Sequence, residues 1–157
     1  PADELPVSGI HGHDLALGSG SVDGVIGGAA FASWHRLFGS VLLQYAVRTE
    51  GSYDYRYANE LNWAAALGGY PLLGESPSYS MSLQAVVSGG YKGNDVFRGE
   101  SQDDSRAAFV FLGPGIALTW GSSLGADLTG DLPVSRHNTG VQIVPSYRIR
   151  GGVTWHF

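Results

Sequence analysis

The chain has 157 residues, 43% of them hydrophobic and 15% charged, with a formal net charge of −5. That is one domain's worth of material, with enough apolar side chains for a core or a lipid-facing belt, and it is not a disordered composition. The acidic balance argues against nucleic acid as a partner, and the absence of cysteine excludes a disulfide framework and thiolate chemistry.

Uninterrupted apolar stretches such as residues 64–67 and 107–112 are far shorter than the roughly 18 residues a spanning helix needs, so any membrane crossing has to be made by strands. Glycine, 24 of 157 residues, is scattered through every segment instead of gathered into linkers, and aromatic residues make up 11%. That mixture disfavours helices and suits strands. The N-terminal Pro1-Ala-Asp-Glu-Leu-Pro carries neither a basic region nor an apolar one, so an export signal has been removed or lies further upstream.

Taken in order, residues 1–19 do not alternate convincingly and are expected as a loop or a partial strand, while residues 20–157 carry the barrel strands. The first strand is expected over 22–34. The second, 37–49, sets Val41, Leu43, Tyr45 and Val47 against Ser40, Gln44 and Arg48. A third, 55–67, sets Leu61, Trp63, Ala65 and Leu67 against Arg56, Glu60 and Asn62. The fourth, 79–92, is cleaner: Tyr79, Met81, Leu83, Ala85, Val87 and Tyr91 oppose Ser80, Ser82, Gln84, Ser88 and Lys92. In the fifth, 107–120, Gly113-Pro114-Gly115 predicts a bulge or bend, because proline cannot donate to a ladder. The sixth, 122–132, puts Leu124, Ala126, Leu128 and Leu132 opposite Asp127, Thr129 and Asp131. The seventh begins at Tyr147 and alternates Ile149, Val153, Trp155 and Phe157 with Arg148, Arg150, Thr154 and His156. Each segment is long enough to cross a bilayer as a tilted strand of about 9–11 residues.

The fold class expected is therefore all-β, an antiparallel transmembrane β-barrel with an apolar face toward lipid and a polar face toward its lumen. Connections near 50–54, 93–106 and 134–140 would face outside, and those at 34–36, 69–78 and 120–123 the periplasm. Seven strands are an odd number where single-chain bacterial barrels have even ones, which points to the C-terminal part of a larger barrel, with an eight-stranded barrel as the alternative.

The C-terminal Phe157, preceded on the same face by Trp155 and Val153, looks like the terminal-strand signal read by the barrel-assembly machinery. The pieces LGSGSVDGVIGG (17–28), GPGIALTW (113–120), LTGDLPV (128–134) and TGVQIVPSYRIRGGVTWHF (139–157) resemble the outer-membrane transporter family associated with the meta-pathway of phenol degradation. The likeness covers nearly the whole chain in the order of that family's C-terminal half. It implies a Gram-negative outer-membrane location and a missing N-terminal portion.

The candidate lumen-facing residues are Arg48, Arg56, Glu60, Gln84, Asp127, Asp131, Arg148 and Arg150. Opposite charges on neighbouring strands of one face can pair, giving either a charged constriction that filters solutes or a salt-bridge ladder that plugs and stabilises a narrow barrel. Trp34, Trp63, Trp120, Trp155 and Phe157 are expected as membrane-interface aromatics. His11 and His13, with Asp14, form a weak metal candidate that a solvated loop explains as well, and Asp95, Glu100, Asp103 and Asp104 lack the regular spacing of a calcium loop. No histidine is placed to activate a serine, so no enzyme activity and no cofactor are expected. The expected function is an outer-membrane channel or transporter-like barrel for small solutes, hydrophobic ones among them. The alternatives are a structural or accessory barrel bound to other envelope proteins, and a soluble lipocalin-like barrel with its apolar face turned inward around a ligand.

Overall fold

The computed structural model of the chain describes residues 20–74, 79–139 and 145–157. Its elements in chain order are β1 (Gly24–Trp34), β2 (Leu37–Val47), β3 (Tyr55–Arg56), β4 (Glu60–Leu73), β5 (Tyr79–Lys92), β6 (Asp95–Phe97), β7 (Glu100–Gln102), β8 (Ala107–Trp120), β9 (Leu124–Asn138) and β10 (Arg148–Trp155). A single 3₁₀ turn at Ser52–Asp54 is the only helical element among the described residues. Seven strands form one antiparallel sheet in the order β1-β2-β4-β5-β8-β9-β10, curled into a half-barrel. These are the seven segments expected from alternation. β3, β6 and β7 form a separate three-stranded sheet within the long connections.

Register turns the alternation into two continuous faces. Trp34 pairs with Leu37, Val41 with Ala65, Val87 with Leu112, Ile116 with Leu128, and Ala126 with Val153, so the apolar rows of all seven strands lie on one side. On that side Leu67, Leu83, Leu128, Val153 and Trp155 are all about half or more exposed. The buried side chains of the main sheet (Phe38, Ala46, Ser82, Ser88, Ala107, Phe111 and Asp131) belong to the other side, which is the inside of the curl. The sheet thus shelters Asp131 and Ser88 on its concave side while leucines stand exposed on its convex side.

Aromatic residues gather at the two ends of the convex face. Trp34, Tyr79, Trp120 and Trp155 share the end that carries the short turns, where Tyr79 pairs with Trp120, Trp120 with Leu124 and Leu124 with Trp155. Tyr45, Trp63 and Tyr91 lie toward the opposite, loop-bearing end. Trp63 spreads its indole over Gly89 of the next strand, where a Cβ would stand 2.6 Å from the ring. A glycine inside a strand is thus roofed by a neighbour's aromatic ring, which restores part of the packing its missing side chain forfeits.

Several boundaries differ from the sequence expectation. The third long strand starts at Glu60 and runs on to Leu73, so the first half of the connection expected at 69–78 is strand, and the sixth runs to Asn138 through much of the loop expected at 134–140. Gly113-Pro114-Gly115 causes no change of register. Gly113 and Pro114 are unmatched on the β9 side, yet Leu112 pairs with Leu132 and Gly115 with Thr129 in one continuous register. The shift between β8 and β9 instead falls between Val110 and Phe111, where Val110 meets Ser135 and Phe111 meets Pro133, leaving Val134 as the extra residue of a bulge. Pro133, not Pro114, adjoins the irregularity.

Candidate functional site

β9 and β10 place Asp127, Thr129 and Asp131 on the concave wall, directly opposite Gly152, Arg150 and Arg148. Asp131 is the centre of the cluster, its carboxylate only 1% exposed. Arg148 donates to it through Nε at 3.1 Å and through Nη2. The same Nη2 reaches Ser88 Oγ on β5 at 2.8 Å, and the guanidinium stands 3.5 Å from the centroid of the Phe111 ring on β8. One arginine thereby ties β10 to three other strands, and Phe111, 1% exposed, forms the floor under its charge.

Arg150 is the second donor to Asp131, through Nη2 at 3.2 Å, but its side chain is 50% exposed. Its Nε and Nη1 make no hydrogen bond to another described residue. Asp127, exposed on the same wall, has no ion pair or hydrogen bond to another described residue either. It lies over Gly152, whose missing side chain makes room for it, since a Cβ there would stand 2.7 Å from Asp127 Oδ1.

Asp127, Thr129 and Arg150 line a hollow of about 510 Å³ on the concave face together with Ser40 and Gln84. The rest of its lining comes mainly from β1, β2, β4 and β5 and is small or apolar: Ala29, Phe31, Leu42, Ala64, Ala66 and Val86. The curl of the sheet brings the charged C-terminal strands to face an apolar N-terminal wall.

The remaining candidates sit elsewhere. Arg48 follows β2 at the loop-end rim, where it donates to Asp23 at 2.7 Å and lies 3.6 Å from Glu60. The hydrogen bond from Arg48 holds the Asp23 carboxyl below the ordinary value of 3.8, and Asp23 holds Arg48 more firmly protonated in return. Arg56 is not on the barrel wall: it belongs to β3, pairs with Val96 and is exposed. The expected strand over 55–67 fails at Tyr57–Asn59 because Ala58 N donates to Asp95 at 2.7 Å in place of a ladder bond. Asp95 also accepts from the Tyr55 hydroxyl at 2.7 Å and Lys92 Nζ at 2.9 Å, so its oxygens are already engaged and it is no open calcium ligand.

Trp34, Trp120 and Trp155 are 72%, 73% and 73% exposed on the convex face, and Phe157 extends beyond β10. Trp63 shares that face. His11 and His13 lie outside the described residues, and among those described no group of three or more His, Asp or Glu could hold a metal ion. Phe111 and Asp23 were not singled out from the sequence. Phe111 shares the parity of Phe109 on the concave side of β8, where it pairs with Ser88 of β5, and no polar alternation along β8 marks that side in the sequence.

No family model, no curated protein and no solved structure matches the chain.

Proposed function

We propose that the chain forms the wall of a channel in the outer membrane of a Gram-negative bacterium and passes small solutes, hydrophobic ones among them. The observation that carries this reading is the convex face. Across seven strands it presents leucine, valine, isoleucine, alanine and aromatic side chains to the exterior and no Asp, Glu, Lys or Arg. In water such a face is a severe liability; in hydrocarbon it is the required surface. The lipocalin-like alternative needs the opposite curl, with these side chains inside.

Scale supports the same setting. The aromatic rows on β5, at Tyr79 and Tyr91, are roughly 40 Å apart along the strand, or roughly 30 Å along the axis of a barrel tilted about 40°. That is close to the height of a bilayer's apolar interior. The terminal strand with Trp155 and Phe157 fits recognition by the barrel-assembly machinery. The concave wall, mostly apolar with Asp127 and Arg150 on one side, suits solutes with a greasy body better than ions.

Reconstitution into planar bilayers tests the channel, with discrete conductance steps as the expected result and a silent membrane favouring the accessory-barrel alternative. Cell fractionation tests the location: extraction without detergent would overturn it.

A further inference from the structure

We propose that Asp127 and Arg150 together read the head group of a small zwitterion, an α-amino acid with an apolar side chain, as it passes through the channel proposed above. Arg150 pairs directly with Thr129 across the ladder, so Asp127 and Asp131 are its two diagonal neighbours on β9, one toward each end. It takes Asp131, which Arg148 already neutralises, and leaves Asp127 alone. The result is one surplus positive charge and one surplus negative charge on the same wall of the same hollow, each with unused hydrogen-bonding capacity among the described residues.

A carboxylate alone would meet Asp127 as a like charge, and an amine alone would meet Arg150 the same way. Only a solute carrying both charges a few ångströms apart satisfies both. Diagonal neighbours on a sheet face are about 7–8 Å apart. That is a spacing of backbone positions, and both side chains line the same hollow, so an ammonium and a carboxylate held on one carbon can be presented to the two together. Across the hollow, Ala29, Leu42, Ala64 and Val86 offer a mainly apolar wall, interrupted by Ser40 and Gln84, which receives the rest of the molecule. The head group is therefore read by charge and the body mainly by shape.

The test uses the full chain in proteoliposomes and three labelled probes that share one apolar body: L-phenylalanine, 3-phenylpropanoate and 2-phenylethylamine. Protein-dependent uptake of phenylalanine is expected to exceed that of either singly charged probe by roughly tenfold, the factor that loss of one charge-assisted hydrogen bond produces. Asp127→Asn is expected to reverse the preference toward 3-phenylpropanoate, and Arg150→Gln toward 2-phenylethylamine. Opposite shifts from two neighbouring sites are not what a merely structural role would give. Because Arg148 still neutralises Asp131 in Arg150→Gln, the wall keeps its central ion pair. Equal uptake of the three probes, or no uptake of phenylalanine through a conducting channel, overturns the zwitterion site and leaves the channel standing. Absence of any conductance overturns both.

Discussion

At the scale of single residues, the concave wall depends on a carboxylate that two guanidiniums share. Asp131→Ala would leave Arg148 and Arg150 facing each other with no counter-charge, a change that costs roughly 3 kcal/mol where one partner of a buried pair is removed. Arg148 and Arg150 are 26% and 50% exposed, so water recovers part of that loss. The double variant Asp131→Leu with Arg148→Leu is expected to be closer to wild type than Asp131→Ala, because the one guanidinium then left without Asp131, that of Arg150, is half exposed to water. Urea unfolding in detergent measures both. The rim behaves differently. Asp23 owes its lowered pKa first to the hydrogen bond from Arg48, so its contribution is present at pH above the ordinary carboxylate value of 3.8 and is lost as pH falls through the depressed value. Acidification below about pH 4 is therefore expected to loosen the joint between the start of β1 and the end of β2, and Asp23→Asn to remove that acid sensitivity. Limited proteolysis at the 48–59 loop as a function of pH reads it out. Parity along β9 and β10 sufficed to place Asp127, Asp131, Arg148 and Arg150 on one wall. It could not say that Arg150 chooses Asp131 over Asp127, because parity fixes the face a side chain points to and not its rotamer.

At the scale of elements, alternation found every long strand and missed every short one. β6 and β7 have three residues each, too few for a period of two to show, and Asp95, Glu100 and Ser101 are poor strand formers. Their hairpin is set by the turn: Arg98 at φ 52° and Gly99 at φ 81° give the positive φ pair of a tight hairpin. Asp95 then fixes the sheet to the barrel through Tyr55, Ala58 and Lys92. Register irregularities were equally hard to read, because proline and glycine mark where a ladder can be broken and packing decides where it is. Gly113 illustrates the difference. A Cβ there would stand 1.9 Å from the Gly130 carbonyl oxygen and 2.6 Å from Asp131 Cα. The glycine permits the close approach of β8 to β9 directly beneath the Asp131 cluster. Gly113→Ala is expected to destabilise by roughly 1–3 kcal/mol, as overpacking does. It should also weaken the Arg148 bond to Ser88 by pushing β9 outward. Gly121→Ala at the β8–β9 turn, where no atom lies within 4 Å of a new Cβ, serves as the contrast, its cost limited to the positive φ of 61°.

At the scale of the whole molecule, the consequential fact is that the two edges of the sheet run the same way. Seven strands paired antiparallel in succession leave β1 and β10 parallel to each other, and no ladder joins them among the described residues. Neither edge carries the proline or lysine that soluble proteins use to discourage further pairing, and β1 has no charged residue along its eleven. In hydrocarbon an open ladder is untenable, so on the membrane reading both edges are paired. If every pair in the closed ring is antiparallel, the strands that complete it number one, three, five or seven. A second copy, with its own seven strands in the same orientation, would instead lay its β10 parallel beside β1. The two closures are separable by chemistry because the chain has no cysteine of its own. Ala30→Cys on β1 and Gly151→Cys on β10 put single thiols on the convex face of the two edges. Oxidation in the membrane is expected to give no disulfide-linked dimer, since the closing strands keep the edges apart. Amide exchange in β1 is expected to be slow at the positions that point away from β2 as well as at those that point toward it. A ladder of disulfide-linked dimers would show that the barrel is closed by copies of this chain.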